Sequence, residues 1–208
     1  DINSPNPCGE QPLPDFGCCC LGALNLSAFV KNPFTDEAIF DTYGFAQSVH
    51  HAVRFLDNVL STSDYPIPEV REQVLSERRI GLGFTALADT FTMMGMVYGD
   101  DNSMDLSHRI GKTLRDESYL ASIALAIEKG TFPNCKHEIL RCGFVSKLPE
   151  YIKDKISKYG LRNIALNTIA PTGTTSLSIG NNCSSGIEPV FALEYTRKVK
   201  QPDDTFIG

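Results

Sequence analysis

Apolar residues recur at helical spacing in several stretches of the chain, and each stretch predicts a helix. The first stretch covers roughly 36–61, and Thr35 is its predicted N-cap. Its apolar face is formed by Phe45, Val49, Ala52, Val53, Leu56 and Leu60. Further helices are predicted over about 80–96, 105–129 and 148–159. The last two end before Gly130 and Gly160, a residue type that commonly terminates helices.

The two ends of the chain show different patterns. Residues 1–30 are rich in Pro, Gly and Cys, which predicts an ordered but irregular loop. Residues 163–170 (NIALNTIA) predict a short buried strand that Pro171 ends, and residues 189–199 (PVFALEYTRKV) predict a second strand. Helices that alternate with buried strands favour an α/β architecture. Because too few strands are predicted for a closed sheet, we expect the chain to be a segment of something larger.

Composition narrows the class of protein. A length of 208 residues is enough for one domain with a substantial core. A net charge of −6 argues against a nucleic-acid-binding surface, and no apolar run is long enough to predict a transmembrane helix. Nothing at the start resembles a signal peptide, and seven cysteines do not suggest a secreted disulfide framework. We therefore expect a cytoplasmic protein, whose cysteines are catalytic, redox-active, metal-binding or simply buried.

The segment SPNPCGE near the start places an amide, a thiol and a carboxylate at alternate positions, Asn6, Cys8 and Glu10. Its two prolines disfavour helical angles in the residues before them, so the segment is predicted to be extended. In an extended chain these three side chains would point to the same side. Because a carboxylate raises the pKa of a nearby thiol, the set suits hydrogen-atom chemistry better than nucleophilic acyl transfer. A proline-rich loop with a buried cysteine is the alternative explanation.

A second loop of small residues follows the predicted strand 163–170. It consists of Pro171, Thr172, Gly173, Thr174, Thr175 and Ser176. Threonine hydroxyls, together with the free N–H groups and dipole of a helix start, would favour an anion, which predicts a phosphate site. The loop is not a Walker motif, because no G-K-[ST] follows it. An ordinary capped helix start is the alternative.

Other motifs carry less weight. Residues 81–86 fit the pattern GxGxxG/A, but no predicted strand precedes them, so dinucleotide binding is not expected. Cys135, His137 and Cys142 lack the closely spaced pair of a typical zinc site, and we assign no metal site. His50 and His51 lie on a predicted helix as packing or surface residues. Cys183 is expected to pack without a functional role.

Two long runs resemble segments of ribonucleotide reductases. NPCGEQPLPDFGCCCLGALNL resembles the family's active-site finger loop, and APTGTTSLSIGNNCSSGIEPVFALEYTRKV resembles the segment that holds the substrate phosphates. Between them, AVRFLDNVLSTSDYPIPEV and RRIGLGFTALADTFTMMGMVYG resemble the family's core helices. The resemblance covers nearly all of residues 1–200. It implies that residues 1–208 are part of a ten-stranded α/β barrel, with 1–30 as its central finger loop and 163–200 as the phosphate-binding loop with flanking strands.

The resemblance also implies roles for individual residues in reducing ribonucleotides to deoxyribonucleotides. Cys8 would carry a thiyl radical and abstract the 3′ hydrogen of the ribose, and Glu10 would be the base at the 3′-hydroxyl. Asn6 would hydrogen-bond the substrate. The pattern G-x-C-x-L-G-x-x-N-L places Cys19 at a reducing cysteine that forms a disulfide with a distant partner. Cys18 and Cys20 depart from the family's usual motif, as does Thr175, where isoleucine is frequent.

Eleven positions separate Cys8 from Cys19, which resembles the adenosylcobalamin-dependent class II enzymes. The cofactor would be bound mainly by parts outside this segment, and a thioredoxin-type protein or another dithiol would be the reductant. Expected partners are a ribonucleoside di- or triphosphate, nucleotide effectors, the rest of the catalytic chain and a second copy in a homodimer, without nucleic acid or membrane. The alternatives are a class I large subunit with a metal-containing radical partner, a zinc-binding module and a cysteine-nucleophile hydrolase.

Overall fold

The computed structural model describes residues 2–135, 137–180, 184–192, 194, 196, 199–200 and 206–207. Its strands are β1 (Ser4–Pro5), β2 (Pro12–Leu13), β3 (Cys20–Asn25), β4 (Val30–Lys31), β5 (Ile39–Phe40), β6 (Ile80–Thr85), β7 (Val199–Lys200) and β8 (Phe206–Ile207). Its α-helices are α1 (Thr42–Thr62), α2 (Pro68–Glu77), α3 (Leu87–Met93), α4 (Asp101–Lys129), α5 (Glu150–Tyr159) and α6 (Thr175–Ile179). Short 3-10 helices cover Leu26–Phe29, His137–Arg141 and Val145–Lys147. None of the helices in these residues is both long and apolar enough to cross a membrane.

The parallel pair β3–β6 lies at the centre of the fold. Its register runs from Cys20 opposite Ile80 to Asn25 opposite Thr85, and α1 and α2 form the crossover between the two strands. Residues 163–168 run along the other side of β6, where the Ile80 N–H donates to the Ala165 carbonyl at 3.1 Å. Strand β6 therefore has a neighbour on each side, and all six of its residues are buried.

The predicted helix over 80–96 is wrong in its first part, because Ile80–Thr85 form β6 and α3 begins only at Leu87. A short apolar run is compatible with a buried strand as well as a buried helix, so spacing alone does not separate the two. The glycines at 81 and 83 make the strand possible. A Cβ atom on Gly83 would lie 2.1 Å from the Thr168 carbonyl oxygen, since the segment 163–168 crosses directly over it.

We expect the substitution Gly83→Ala to destabilise the intact protein by about 3 kcal/mol, because a methyl group cannot fit against a main-chain carbonyl without moving the strand. The urea-unfolding midpoint, followed by circular dichroism, measures the effect. Gly111→Ala is the matched control, since no atom lies within 4 Å of a Cβ there in the interior of α4. That change should stabilise the protein by up to about 1 kcal/mol. Equal midpoints for the two variants would contradict the close approach at Gly83.

The three other predicted helices are confirmed, with corrections at their starts. Helix α1 begins at Thr42, because Asp41 caps it by accepting the Gly44 N–H at 3.0 Å. Thr35 is therefore not the N-cap, and its hydroxyl donates to the Asn32 carbonyl at 2.8 Å in the preceding loop. The predicted apolar face of α1 is buried at Phe45, Val49, Val53, Leu56 and Leu60. Helices α4 and α5 end at the predicted glycines, Gly130 and Gly160, which have positive φ angles of 84° and 72°.

The predicted strands differ more from the structure. Residues 163–170 make one isolated parallel bridge, between Leu82 and Asn167, instead of a regular strand. Within 189–199, only Val199 lies in a described strand, while residues 193, 195, 197 and 198 lie outside the described part of the chain. Residues 1–30 contain the strands β1–β3 in addition to irregular loop. Mixed helices and strands agree with the α/β class, but the described strands form pairs and no closed barrel.

A buried cluster of charged residues joins distant parts of the chain. Asp57, on α1, is fully buried. Its Oδ1 accepts hydrogen bonds from Arg78 Nε at 2.8 Å and from Asn163 Nδ2 at 3.2 Å. Arg162 Nε lies 3.3 Å from both carboxylate oxygens, and Lys129 Nζ lies 3.9 Å from Oδ2. The cluster therefore links α1, the end of α2, the end of α4 and the segment that runs beside β6.

Candidate functional site

Asn6 and Glu10 lie on opposite sides of the tip of a hairpin formed by β1 and β2. The strands pair antiparallel, with Ser4 opposite Leu13 and Pro5 opposite Pro12. The chain reverses between them, where the Gly9 N–H donates to the Asn6 carbonyl at 2.9 Å and Gly9 has a φ of 82°. The prediction that the whole segment is extended is therefore wrong beyond Asn6. The prolines restrict only their own neighbours, and a glycine with positive φ permits the turn.

The turn brings the amide and the carboxylate into direct contact. Asn6 Nδ2 donates to Glu10 Oε1 at 2.7 Å, and Asn6 Oδ1 accepts the Gln11 N–H at 3.0 Å. Glu10 Oε2 is buried and has no hydrogen-bond partner among the described residues. Cys8, at the tip of the turn, is exposed. One carboxylate oxygen is thus held in place, while the other is available to accept a proton.

The second predicted loop follows residues 163–170 and leads into α6. Thr172 has a φ of 52°, which is strained for a β-branched residue. Its Oγ1 holds this conformation, lying 2.9 Å from the Ser185 carbonyl oxygen and 3.1 Å from Thr85 Oγ1. Ser176 is also used internally, since its N–H donates to the Thr172 carbonyl at 2.8 Å and its hydroxyl donates to the Gly173 carbonyl at 3.3 Å. These two residues therefore shape the loop instead of presenting their hydroxyl groups.

The exposed part of this loop, in contrast, has hydrogen-bond donors that could bind a ligand. Thr174 and Thr175 are exposed, and within the described part of the chain the N–H groups of Gly173, Thr174 and Thr175 make no hydrogen bond. Helix α6 has only five residues, so its dipole is weaker than the sequence suggested. Any attraction for an anion here comes mainly from N–H and hydroxyl donors.

The hairpin tip and the loop, from opposite ends of the sequence, line one cavity of about 370 Å³. This volume lies within the usual range for small-molecule sites. The lining residues are Asn6, Pro7, Cys8, Glu10, Leu21, Gly22, Ala23 and Ala170 through Thr175. Thr168 connects the two parts, with its Oγ1 3.3 Å from the Glu10 carbonyl oxygen. The contribution of β3 to the wall was not predicted, because it depends on a strand that the sequence pattern did not reveal.

Cys19 lies outside the lining of this cavity, mostly buried beside β6. Its Sγ would be 3.0 Å from a Cβ atom on Gly81. Burial raises the pKa of the Cys19 thiol to about 12, opposed by the charge of Arg79 and reinforced by Cys18, Cys20 and Glu10. Cys19 is therefore a neutral thiol at physiological pH. Cys18 is exposed, and burial also raises the pKa of the half-buried Cys20.

Where the structure describes them, the remaining sequence motifs do not line the cavity. Residues 81–85 lie within β6 and only Ala86 lies at the turn into α3, whereas a dinucleotide loop has its glycines in that turn. Among the described residues, no group of three or more His, Cys, Asp and Glu side chains converges as a metal site would require. His50 Nε2 lies 2.7 Å from Glu117 Oε2, joining α1 to α4. Cys183 and the side chain of His137 lie outside the described residues.

Comparison with known proteins identifies one family. The family model for "Ribonucleotide reductase, barrel domain" matches residues 1–207. A vitamin B12-dependent ribonucleoside-diphosphate reductase of Thermoplasma acidophilum is 37% identical over 199 residues, covering 96% of this chain and 23% of that protein. The protein of the same name from Mycobacterium tuberculosis (strain H37Rv) is 33% identical over 200 residues, covering 95% and 25%. A ribonucleoside-diphosphate reductase large subunit of variola virus is 32% identical over 190 residues, covering 86% and 24%.

This chain spans about a quarter of the length of these curated relatives. The family match includes the hairpin, the β3–β6 pair and the loop before α6. This chain therefore belongs to the ribonucleotide reductase family, as a segment of its barrel domain.

Proposed function

We propose that the protein containing this chain reduces ribonucleotides to 2′-deoxyribonucleotides by a thiyl-radical mechanism that depends on adenosylcobalamin. The observation that carries the proposal is the single cavity shared by Cys8, Glu10 and the loop Pro171 through Thr175. It brings a thiol, a carboxylate and anion-binding donors within reach of one small molecule. The names of the Thermoplasma and Mycobacterium relatives and the eleven-position spacing of Cys8 and Cys19 support adenosylcobalamin as the cofactor.

In this mechanism the hairpin performs the chemistry on the ribose. Cys8, as a thiyl radical, takes the 3′ hydrogen atom, and Glu10 accepts the 3′-hydroxyl proton. Glu10 Oε2 is suited to this role because it has no partner among the described residues, whereas Oε1 is bound by Asn6 at 2.7 Å. Asn6 Nδ2 carries a second hydrogen that can bond to the substrate. The 2′-hydroxyl then leaves as water, with the added proton supplied by the thiols of Cys19 and its partner cysteine. As these two thiols form their disulfide, they deliver two electrons and a hydrogen to C2′. Glu10 returns its proton to the 3′ oxygen, and Cys8 returns its hydrogen atom to C3′.

The loop before α6 binds the phosphates in this proposal. The N–H groups of Gly173, Thr174 and Thr175 and the two exposed hydroxyls supply donors, while Pro171, Thr172 and Ser176 maintain the backbone shape. The name shared by the relatives favours a ribonucleoside diphosphate, which is the substrate we propose.

Cys19 supplies reducing equivalents, as one half of a disulfide with a cysteine elsewhere in the protein. A thioredoxin-type protein or another dithiol then restores both thiols. The exposed Cys8 thiol at the end of the hairpin is the group that would receive the radical, while adenosylcobalamin itself would be bound mainly by parts outside this segment. When bound, the cofactor supplies the radical that Cys8 carries. Since the cofactor surface and the partner cysteine lie elsewhere, we expect the 208-residue segment alone to be inactive.

The test uses the intact protein, reduced with dithiothreitol and supplied with a ribonucleoside diphosphate, with and without adenosylcobalamin. We expect deoxynucleotide, detected by chromatography, only when the cofactor is present. Product that requires a separate metal-containing subunit would replace this proposal with the class I alternative, which the variola relative's name also permits. Absence of product under both conditions would contradict the proposed reaction. We also propose a cytoplasmic homodimer regulated by nucleotide effectors, which gel filtration and effector titration of the same protein would test.

A further inference from the structure

Arg79 is a mostly buried cation next to Cys19. The two residues directly precede β6 and β3, whose pairing begins with Cys20 opposite Ile80. The Cys20 N–H donates to the Arg79 carbonyl at 3.3 Å, so the backbones of the two strands are already in contact at this point. Only 13% of the Arg79 side chain is exposed. A buried guanidinium beside a buried thiol requires an explanation, because burial of an incompletely paired charge is unfavourable.

The ion pair of Arg79 with Glu77 uses only some of the hydrogen-bond donors of the guanidinium. Arg79 Nη2 donates to Glu77 Oε2 at 3.1 Å. Its Nε is buried and has no acceptor among the described residues. Leaving a charged donor buried and unpaired is unfavourable. The arrangement is explained if negative charge appears nearby at some stage of the reaction.

Cys19 is the group beside Arg79 that can acquire such a charge. Its Sγ and the methyl group of Thr168 both lie over Gly81, and the Thr168 hydroxyl contacts the Glu10 carbonyl. The groups whose charges act on the Cys19 thiol are Arg79, Cys18, Cys20 and Glu10. Arg79 alone among these favours the thiolate. Its influence is the largest after that of burial.

We propose that Arg79 is a positioning residue for the redox reaction of Cys19, holding a guanidinium where the Cys19 thiolate forms when its disulfide is opened. The inference rests on the proposed function, in which Cys19 forms a disulfide with a distant cysteine. A thiolate of the external dithiol attacks the sulfur of that distant cysteine and forms a new S–S bond. The Cys19–partner bond breaks, and its electron pair leaves on Cys19 Sγ. Disulfide exchange is faster when the leaving thiolate is stabilised.

Two further steps complete the reduction of the Cys19 disulfide by the external dithiol. The second thiol of the reductant displaces the distant cysteine and closes the reductant's own disulfide. The two protons of the dithiol, passed through solvent, restore the thiols of Cys19 and its partner. Two electrons and two protons therefore move from the reductant to the protein. Arg79 takes no part in bond making and acts only through the charge on Cys19.

The experiment compares Arg79→Gln, Arg79→Lys and Glu77→Gln in the intact, reduced protein. Iodoacetamide alkylation of Cys19 is measured between pH 7 and pH 11 and located by fragmentation mass spectrometry. Loss of the guanidinium should slow alkylation of Cys19 about tenfold at a given pH, equivalent to a pKa higher by about one unit. Arg79→Lys should restore part of the rate. Alkylation of Cys142, which is exposed, is the internal reference and should not change.

Glu77→Gln is expected to change the alkylation rate of Cys19 in the opposite direction. Because this variant keeps Arg79, it also provides a test if Arg79→Gln does not fold. Without the competing carboxylate, the guanidinium should favour the Cys19 thiolate more strongly, so alkylation should become faster. A merely structural Arg79 predicts a different result, because loosening the site would expose Cys19 and accelerate its alkylation in Arg79→Gln. Faster or unchanged alkylation in that variant would overturn the inference.

Turnover separates this inference from the proposed function. The reduced Arg79→Gln protein should form the wild-type amount of deoxynucleotide in its first turnover and then slow about tenfold in the steady state with dithiol. A normal steady-state rate in an active enzyme would overturn the role of Arg79 and leave the proposed function standing. If alkylation responds as expected but no deoxynucleotide forms in any variant or in the wild type, the coupling of Arg79 to Cys19 is supported and the proposed reaction fails.

Discussion

Replacing Cys8 with serine is expected to reduce deoxynucleotide formation by the intact protein about 10⁴-fold or more, the scale of loss when a reacting side chain is removed. Serine keeps the size and polarity of the residue, but its O–H bond is too strong for it to replace a thiol as the carrier of the radical. Because Cys8 is exposed and forms part of the cavity wall without packing in the core, its replacement should leave the fold unchanged. Nucleotide binding should therefore persist while turnover is lost.

The measurement pairs a chromatographic deoxynucleotide assay with equilibrium dialysis of the nucleotide. Cys142→Ser is the matched control, since Cys142 is also exposed and lies outside the cavity lining. That control should keep wild-type turnover. Turnover by Cys8→Ser within tenfold of the wild type would show that Cys8 does not carry the radical. Loss of nucleotide binding along with turnover would instead indicate a disturbed hairpin, and Cys8→Ala would then be compared.

Replacing Asp57 with alanine should destabilise the protein by about 3–5 kcal/mol, because Arg78 and Arg162 would remain buried without their shared counter-charge. Arg78 loses the hydrogen bond from Nε at 2.8 Å, and Arg162 loses two contacts at 3.3 Å. Asp57→Asn tests the charge separately from the shape. It retains a side-chain oxygen for one donor but leaves the cations uncompensated, so it should also be strongly destabilised.

Urea unfolding of the intact protein measures both variants of Asp57. The control is Glu128→Ala, which removes a carboxylate bound by Arg54 on the exposed surface of the same helix pair, α1 and α4. The Arg54 guanidinium lowers the pKa of Glu128, but exposed pairs of this kind contribute little to stability, so its unfolding midpoint should barely move. A wild-type midpoint for Asp57→Asn would mean that packing, not charge, holds these elements together.

Local signals in the sequence predicted the parts of the fold that local interactions determine. The apolar face of α1 and the glycines that end α4 and α5 are properties of a few neighbouring residues, and those predictions are confirmed. Strand β6 was mistaken for a helix because its identity depends on two neighbours, β3 and residues 163–168, that lie far away in the sequence. The start of α1 was misplaced because two acceptable capping residues, Thr35 and Asp41, precede the same apolar pattern.

The same distinction between local and long-range interactions applies to the candidate site. The motifs that contain Cys8 and Pro171 through Ser176 were found from short sequence runs, and their catalytic and binding roles remain predictions. Thr168 and Arg79 were missed, because each gains its place only through the register of β6 with its neighbours. The alternating glycines at 81 and 83 were a usable signal. In a strand they indicate that another backbone passes close by.

Strand β6 connects the two parts of the cavity wall without contributing a side chain to it. Its main chain pairs with β3 on one side and bonds the segment leading to Pro171 on the other, and Thr85 at its end contacts Thr172. The distance between the two reactive regions is thus determined by peptide groups that any amino acid possesses. During evolution, residues that touch the substrate can therefore be exchanged to alter selectivity while the spacing survives. Gly83 does not have this freedom, because an added methyl group would lie 2.1 Å from the Thr168 carbonyl oxygen and displace the segment that leads to Pro171.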